Sequence, residues 1–298
     1  MIEWTGAGFL GEGTSEGQPV ACYDATLSRR RKAPDDTDEL GRQLELIRVD
    51  YFETRRSDPA AIVAVLIAPS SSIADHGLKF VAAGGPLGGC GEATLFATQI
   101  CTASRADSSV VFETSAGLIV GRNLGSGVIA ISMPAVPPAS VSEDVDHGTG
   151  SLRIRSVTAG GNHFAIVTAD DLGVRLDQPS LDDLTAAGND LLVSLRRRAT
   201  ASGEHRAPDM LMITEPVADS STRSAVIWGD SVLNHGPCGT GTCARYVLAV
   251  EDGDVSPGAP LVHASPFGHS FEARSIAVGD RRTTDGLTIV LSGLVKAE

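Results

Sequence analysis

The alternation of apolar and polar positions along the chain predicts many strands and few helices. Residues 60–69 (AAIVAVLIAP) form a short apolar run that ends in proline, which is typical of a buried strand. Similar runs predict further strands at residues 110–120, 128–133, 152–157, 163–169, 211–213, 224–228, 270–278 and 287–291. Because alternating and continuous patterns are mixed, we expect an α+β architecture with extended sheets wrapped around a few helices.

One long segment has the period and the end signals of a helix. It starts at Ser180 with the sequence SLDDLTAAGNDLLVSLRRRA. Ser180 is predicted as the N-cap, Asp182 and Asp183 as residues of the first turn, and the arginines at 196–198 as residues of the last turn. Residues 134–142 (PAVPPASVS) are rich in proline and predict a linker between domains.

The most informative pattern is a seven-residue frame, G-x-C-G-x-x-T, that occurs twice, 148 residues apart. One copy surrounds Cys90 (GGCGEAT) and the other surrounds Cys238 (GPCGTGT). Each copy precedes an apolar stretch that suits a helix, LFATQI in one case and ARYVLAV in the other. We therefore expect two similar domains, each with a cysteine at the glycine-rich start of a helix.

Composition narrows the class of protein. A chain of 298 residues suits two domains of about 150 residues each. The net charge of −13 and the lack of a basic stripe, apart from a cluster at residues 29–32, argue against a nucleic-acid partner. No run of 18 apolar residues and no signal-peptide pattern occur, so we expect a cytoplasmic protein without a membrane partner. Five cysteines, an odd number, argue against a secreted disulfide framework.

The repeated frame is suited to proton transfer at carbon. The start of a helix carries backbone N–H groups without partners and roughly half a positive charge, so it binds anions and lowers the pKa of a nearby thiol below ~8.5. Two such starts that face each other would hold one small carboxylate between two sulfur atoms. One sulfur would remove a proton from a carbon and the other would return a proton to the opposite face. Fixed N–H donors would stabilise the charge that develops on the carboxylate.

Both copies of the frame also resemble known motifs. PCGTGTCAR, which contains Cys238, resembles the second cysteine motif of the family of proline racemases, hydroxyproline epimerases and hydroxyproline dehydratases. CGEAT, which starts at Cys90, resembles its first motif, CGHGT. Further matches follow in family order over residues 45–298: ETSAG resembles ETPAG, AGGNHFAIV resembles YGGNFYA, SPFGHSF resembles SIIGSxF, and LSGLV resembles the TGSAY strand.

The resemblance implies a fold and a pair of catalytic residues. The expected fold is two pseudosymmetric domains, each a β-sheet barrel wrapped around a central α-helix, as in diaminopimelate epimerase. Residues 1–135 with 284–298 would form the first domain and residues 136–283 the second. Cys90 and Cys238 would be the catalytic acid and base. Cysteine at position 238 matches the racemases and epimerases, whereas the dehydratases have threonine there.

The resemblance also implies how substrate would bind. Backbone N–H groups at four positions would hold the substrate carboxylate: Gly91, Glu92, Gly239 and Thr240. The two family residues that contact the substrate nitrogen, a histidine and an aspartate, are Glu92 and Asn234 here. His163 is a further candidate for substrate binding. Because this pair differs and EWTGAGFLGEGTSEGQP replaces the family's N-terminal HTGGEP motif, we expect a substrate that differs from proline in size or polarity.

These inferences predict an amino-acid racemase or epimerase that needs neither pyridoxal phosphate nor a metal. Its expected partner is a small amino or imino acid, and the resemblance suggests a homodimer. The spacing of His235, Cys238 and Cys243 matches no common zinc pattern, and Cys22 and Cys101 are expected to be packing residues. Two alternatives remain: an isomerase or tautomerase of an unsaturated carboxylic acid on the same fold, and an amino-acid-binding protein without turnover.

Overall fold

The computed structural model describes most of the chain and divides it into two compact units. The described residues are 7–26, 37–55, 57–103, 108–139, 142–148, 150–177, 179–202, 206–217, 221–276 and 286–298. The basic cluster at residues 29–32 lies outside them. Unit 1 comprises Met1–Ser132 and Ser292–Glu298, and unit 2 comprises Met133–Leu291.

Unit 1 is a ring of strands around one helix. Its elements are β1 (Gly8–Ser15), β2 (Gln18–Asp24), α1 (Thr37–Arg48), which continues as a π-helical segment (Val49–Thr54), β3 (Ile62–Ile67), β4 (His76–Ala82), β5 (Gly85–Leu87), α2 (Gly91–Thr102), β6 (Ser109–Thr114), β7 (Gly117–Asn123), β8 (Val128–Ser132) and the end of β17 (Ile289–Ala297). Strand pairing runs in the order β1, β2, β3, β4, β6, β7, β8, β17 and back to β1, which closes a barrel.

The helix α2 fills the centre of this barrel. It contacts β1, β2, β3, β6, β7 and β8, and most of its residues, from Gly91 to Thr98, are buried. A helix that is buried on every side needs such an enclosure. By contrast, α1 lies outside the barrel, where Ile47 packs in a cluster with Tyr23 and Val65.

Unit 2 has its own set of elements. They are β9 (Glu143–His147), β10 (Gly150–Ala159), β11 (Asn162–Thr168), α3 (Ala169–Leu172), α4 (Leu181–Ser202), β12 (Met210–Pro216), β13 (Thr222–Trp228), β14 (Val232–Leu233), α5 (Gly239–Glu251), β15 (Leu261–Ala264) and β16 (Ser270–Ser275). The apolar face of α4 packs on β12 and β13, whereas α5 contacts β10, β11 and β16.

The two units share one order of elements and pairings. In unit 1, β2 and β3 are parallel, β3 and β4 antiparallel, and β4 and β6 parallel, with α2 between β5 and β6. In unit 2, β11 and β12 are parallel, β12 and β13 antiparallel, and β13 and β15 parallel, with α5 between β14 and β15. This confirms the expected fold of two pseudosymmetric sheet structures, each around a central helix.

Most predicted strands are present, and one detail of the predicted helix is wrong. The run at 60–69 forms β3, in which every residue is buried, and Ser180 caps α4 by accepting from the N–H of Asp183. However, α4 continues to Ser202, so the arginines do not lie in its last turn. The helix continues because Ala199 packs in the interior and because Arg196 donates to the carbonyls of three residues outside α4, Pro208, Asp209 and Gly229.

No described helix is long and apolar enough to cross a membrane.

Candidate active site

Cys90 occupies the N-cap of α2 in unit 1. Its backbone is extended, and its sulfur accepts a hydrogen bond from the N–H of Ala93 at 3.4 Å. The first backbone bond inside the helix runs from Thr94 to the Cys90 carbonyl, so the N–H of Gly91 lies in the turn that precedes helical pairing. The Cys90 side chain is 5% exposed. A nearly buried thiol therefore lies at the positive end of an enclosed helix.

Glu92, in the first turn of α2, places a buried carboxylate beside this thiol. It is 1% exposed, and its Oε2 lies 3.5 Å from the Cys90 sulfur, which donates to it. The helix start favours a negative charge at this position. The residue that takes the place of the family's histidine thus contacts the sulfur directly.

Cys238 occupies the same place at the start of α5 in unit 2. Thr242 donates both its backbone N–H and its hydroxyl to the Cys238 carbonyl, at 2.7 and 2.8 Å. Unlike Cys90, Cys238 has a positive φ of 62°, with ψ at 107°. Such a conformation is strained for a residue with a side chain and persists only where its surroundings hold it.

A chain of polar groups reaches the Cys238 sulfur from β11. The hydroxyl of Thr240 lies 3.7 Å from that sulfur, and the amide of Asn162 donates to the same hydroxyl at 3.3 Å. Both residues are buried. Asn162 belongs to the AGGNHFAIV motif, but the sequence motifs alone do not single it out as a site residue. The signal that points to it is the Gly160–Gly161 pair before it, since both glycines have positive φ in the turn that brings Asn162 to α5.

Asn234, a predicted site residue, and Gly241, which the sequence does not single out, lie on either side of Cys238. Asn234 is buried, and its amide donates to the carbonyl of Gly236, which supports the loop before Cys238. Gly241 follows in the first turn of α5, where a Cβ atom would lie 3.2 Å from the Cys238 sulfur. The same Cβ atom would lie 2.7 Å from the Cε atom of Met212, so a side chain at position 241 requires Met212 and Cys238 to shift.

His163 lies on the other face of β11 from Asn162. Side chains alternate along a strand, and His163 lines a cavity of about 230 Å³ together with Leu195, Arg198 and Arg206. Its Nδ1 is 3.1 Å from the hydroxyl of Thr158. Burial and the nearby Arg206 lower the pKa of His163. The structure thus groups this residue with α4 rather than with Thr240 at the start of α5.

Cys22 and Cys101 lie away from the helix starts that carry Cys90 and Cys238. All five cysteines are free thiols. Burial raises the pKa of Cys101, at the far end of α2, to about 11, and it raises the pKa of Cys22 as well. Both thiols are therefore protonated at neutral pH and unreactive. Within the described part of the chain, no three His, Cys, Asp or Glu side chains cluster as metal ligands would.

The arrangement of a cysteine at the start of an enclosed helix, present once in each unit, agrees with a family comparison. The family model described as "Proline racemase" matches residues 28–294. The chain belongs to the proline racemase family. This confirms the family that the cysteine motifs indicate.

Curated relatives bear names of that family. A proline racemase from Clostridioides difficile is 26% identical over 264 residues, which cover 82% of this chain and 77% of the relative. Proline racemase A from Trypanosoma cruzi is 29% identical over 74% of this chain and 56% of its own length. A 4-hydroxyproline 2-epimerase from Spirosoma linguale is 25% identical over 78% of this chain and 74% of its own length. The expectation of an isomerase of the racemase and epimerase type is confirmed at the level of the family.

Solved structures agree on the fold. A hydroxyproline epimerase from Agrobacterium vitis, with bound trans-4-hydroxy-L-proline, has a TM-score of 0.83 at 18% identity and covers 100% of this chain and 91% of its own. A methylitaconate-delta-isomerase has a TM-score of 0.59 at 13% identity, with 98% of this chain and 94% of its own covered. At these identities the likeness concerns the fold alone.

Proposed function

We propose that the protein is an amino-acid racemase or epimerase that inverts the α-carbon. One of Cys90 and Cys238 removes the α-proton, and the other donates a proton to the opposite face. The observation that carries the proposal is the repeated arrangement of a nearly buried cysteine at the start of a central helix, once in each unit, within the proline racemase family. Inversion needs one proton acceptor and one proton donor, and two thiols of this kind provide both without a cofactor.

In the proposed reaction one proton leaves the α-carbon and one proton is added to it, so the number of protons on substrate and enzyme is unchanged. A thiolate at one cysteine takes the α-proton, and the electron pair left on the carbon spreads into the substrate carboxylate. N–H groups in the first turns of α2 and α5, among them those of Gly91, Gly239 and Thr240, stabilise the resulting charge. The thiol of the other cysteine gives its proton to the opposite face. The enzyme is left with the two protonation states exchanged, and the reverse reaction or water restores them.

The neighbours of the two sulfurs favour different starting roles. An ionised Glu92 accepts hydrogen bonds but donates none, so its contact with the Cys90 sulfur favours the thiol form and opposes the N–H of Ala93, which favours the thiolate. Thr240 can donate its hydroxyl proton, because it accepts from Asn162, and this favours the thiolate form of Cys238. We therefore assign Cys238 as the initial base and Cys90 as the initial acid.

Glu92 also suits the recognition of the substrate nitrogen. A carboxylate beside the catalytic sulfur would pair with the ammonium or iminium group of an amino or imino acid. It takes the position of a family histidine, and Asn234, whose amide binds Gly236, takes that of the aspartate. We propose that this exchange of polar groups gives the protein a substrate other than proline.

The test is solvent deuterium incorporation followed by NMR. The protein is incubated in deuterium oxide, without pyridoxal phosphate, with each enantiomer of the proteinogenic amino acids, proline and the 4-hydroxyprolines. We expect deuterium at the α-carbon of both product enantiomers for at least one of them. Cys90→Ser and Cys238→Ser should each slow inversion by about 10²-fold or more, because each removes one proton carrier. Cys101→Ser, at the other end of α2, is the matched control.

Other outcomes would contradict the proposal. Full turnover by either single variant would exclude the two-thiol mechanism. Tight binding of an amino acid with no exchange of its α-proton would show a binding protein. Because a methylitaconate-delta-isomerase shares the fold, unsaturated di- and tricarboxylates belong in the panel, and turnover of these alone would show an isomerase of unsaturated acids.

A further inference from the structure

A fully buried histidine of unit 2 joins β13, β15 and the start of α5. His263 on β15 is 0% exposed. Its Nδ1 lies 2.7 Å from the hydroxyl oxygen of Thr242, and its Nε2 contacts the hydroxyl of Ser224 on β13. The Thr242 hydroxyl lies in turn 2.8 Å from the Cys238 carbonyl oxygen. A row of three hydrogen bonds therefore ends at the backbone of the proposed catalytic cysteine.

Counting protons fixes the direction of this row. The three contacts need one proton each. A carbonyl brings none, so the contact with Cys238 must use the proton of Thr242. The contact between Thr242 and His263 must then use a proton on Nδ1, and the third contact must use the hydroxyl proton of Ser224. Burial, together with the nearby Arg245, lowers the pKa of His263 to about 3, so the ring is neutral and carries only that one proton.

Unit 1 provides an internal comparison. In the two parallel pairs of strands, His76 is opposite Phe112 and Thr222 is opposite His263. Phe112 therefore takes the place of His263, and Leu78, two residues after His76, takes the place of Ser224. Both are buried and apolar.

Thr94 still donates to the Cys90 carbonyl in unit 1, but Cys90 has an ordinary extended backbone. The buried histidine network thus occurs in unit 2, where the cysteine backbone is strained, whereas the equivalent positions of unit 1 are apolar. A buried polar group is costly unless it is bonded, so an apolar pair would be the simpler choice for the interior. The network therefore needs a reason beyond packing.

We propose that His263, as the neutral Nδ1–H tautomer, is a positioning residue that fixes Thr242 on the Cys238 carbonyl and so holds Cys238 in its left-handed conformation. The inference deepens the proposed function, on which its catalytic consequence rests. His263 touches neither sulfur nor the reacting carbon in this role. It determines where the Cys238 sulfur lies at the start of α5.

The first measurement needs no substrate. Nitrogen-15 NMR of the wild-type protein distinguishes the two neutral tautomers, and the His263 signals are assigned by their loss in His263→Asn. We expect Nδ1 protonated and Nε2 unprotonated at pH 7. A proton on Nε2, or a charged ring, would overturn the proposal whether or not the protein proves to be a racemase.

The second measurement uses a double variant in which the apolar residue types of Leu78 and Phe112 replace Ser224 and His263. In the double variant Ser224→Leu and His263→Phe we expect kcat to fall by about 10- to 100-fold with KM nearly unchanged, because misplacement of a catalytic atom acts on the chemical step. His263→Asn keeps a donor near the position of Nδ1 and should restore part of the rate. Iodoacetamide should label Cys238 more slowly in the double variant, relative to Cys90 in the same molecule.

Two checks separate the possible failures. Circular dichroism and unchanged labelling of Cys90 show that the double variant is folded. Unchanged kcat and unchanged labelling of Cys238 in a folded double variant would overturn the positioning role. If the wild-type protein turns over no amino acid, the proposed function fails, while the tautomer and the labelling ratio still test this inference.

Discussion

Glu92 places a carboxylate beside the Cys90 sulfur, at the position of the histidine in the CGHGT motif that CGEAT resembles. We predict that Glu92→Gln lowers kcat/KM by about 10- to 100-fold, because a hydrogen bond to a charged group contributes about 1.5–3 kcal/mol. The loss should be mainly in KM for the substrate, since the amide cannot neutralise a cationic nitrogen. Steady-state kinetics of Glu92→Gln are compared with those of Glu272→Gln, an exposed carboxylate on β16. Equal values for both variants would show that Glu92 has no part in binding.

The buried His263 makes a second prediction, on stability. Its pKa is about 3 in the folded protein and near 6.5 when the chain unfolds. Between these values the unfolded chain binds the extra proton, so the stabilising contribution of the neutral ring is complete above about pH 6.5 and declines as the pH falls towards 3. From pH 6.5 to 5 the loss from this group is about 1–2 kcal/mol. Urea unfolding should show a smaller loss over this interval in His263→Asn, and an identical loss would contradict a neutral His263.

At the scale of elements, the turn between β10 and β11 supports the start of α5. Gly160 has φ of 55°, and a Cβ atom there would lie 2.5 Å from the Cγ2 atom of Thr240. Gly148, in the turn between β9 and β10, has φ of 58°, and a Cβ atom there meets no described atom within 4 Å. The two glycines thus share a backbone strain but differ in their contact with the site.

We therefore predict that Gly148→Ala lowers the free energy of unfolding by about 1 kcal/mol, the typical cost of a positive φ for alanine, and that Gly160→Ala lowers it further because its Cβ atom also overlaps Thr240. Only Gly160→Ala should also lower the rate of inversion, because it displaces Thr240 from Asn162 and from Cys238. Urea unfolding and the deuterium assay measure the two effects. An equal loss of rate in the two variants would mean that the turn between β10 and β11 affects the rate of inversion only through stability.

The sequence predicted some elements well because their signals are local. The starts of α2 and α5 follow from the repeated frame, and the N-cap of α4 follows from Ser180. The sequence pattern does not predict β1, because GFLGEGTS is rich in glycine and its pairing with β17 depends on distant residues. The face on which His163 lies depends on which side of β11 packs on α4, and a single strand pattern does not decide this. Ser224 and His263 are 39 residues apart, so their contact exists only once β13 and β15 are paired.

At the scale of the whole molecule, the repeated frame around Cys90 and Cys238 already predicted two domains of one fold. The frame does not predict that Ser224 and His263 of unit 2 take the places of Leu78 and Phe112 of unit 1. The two halves keep the same strand pairings while their interiors differ in polarity, so the pseudosymmetry of the backbone does not extend to the chemistry around each cysteine. Under the proposed function, the separate roles of the two cysteines follow from the groups that contact each sulfur, Glu92 at Cys90 and Thr240 at Cys238.

The closure of the barrel in unit 1 depends on the last strand of the chain, β17. Gly13 on β1 is opposite Ala297, and a Cβ atom at Gly13 would overlap the backbone carbonyl of Lys296. A backbone atom in a paired strand cannot move aside as a flexible side chain can, so Gly13→Ala should force β1 and β17 apart. We predict a loss of about 1–3 kcal/mol in the free energy of unfolding. Gly8→Ala is the control on the same strand, because a Cβ atom there meets no described atom within 4 Å. Urea unfolding should leave Gly8→Ala near the wild type, and equal stability of the two variants would show that β17 does not need the close approach at Gly13.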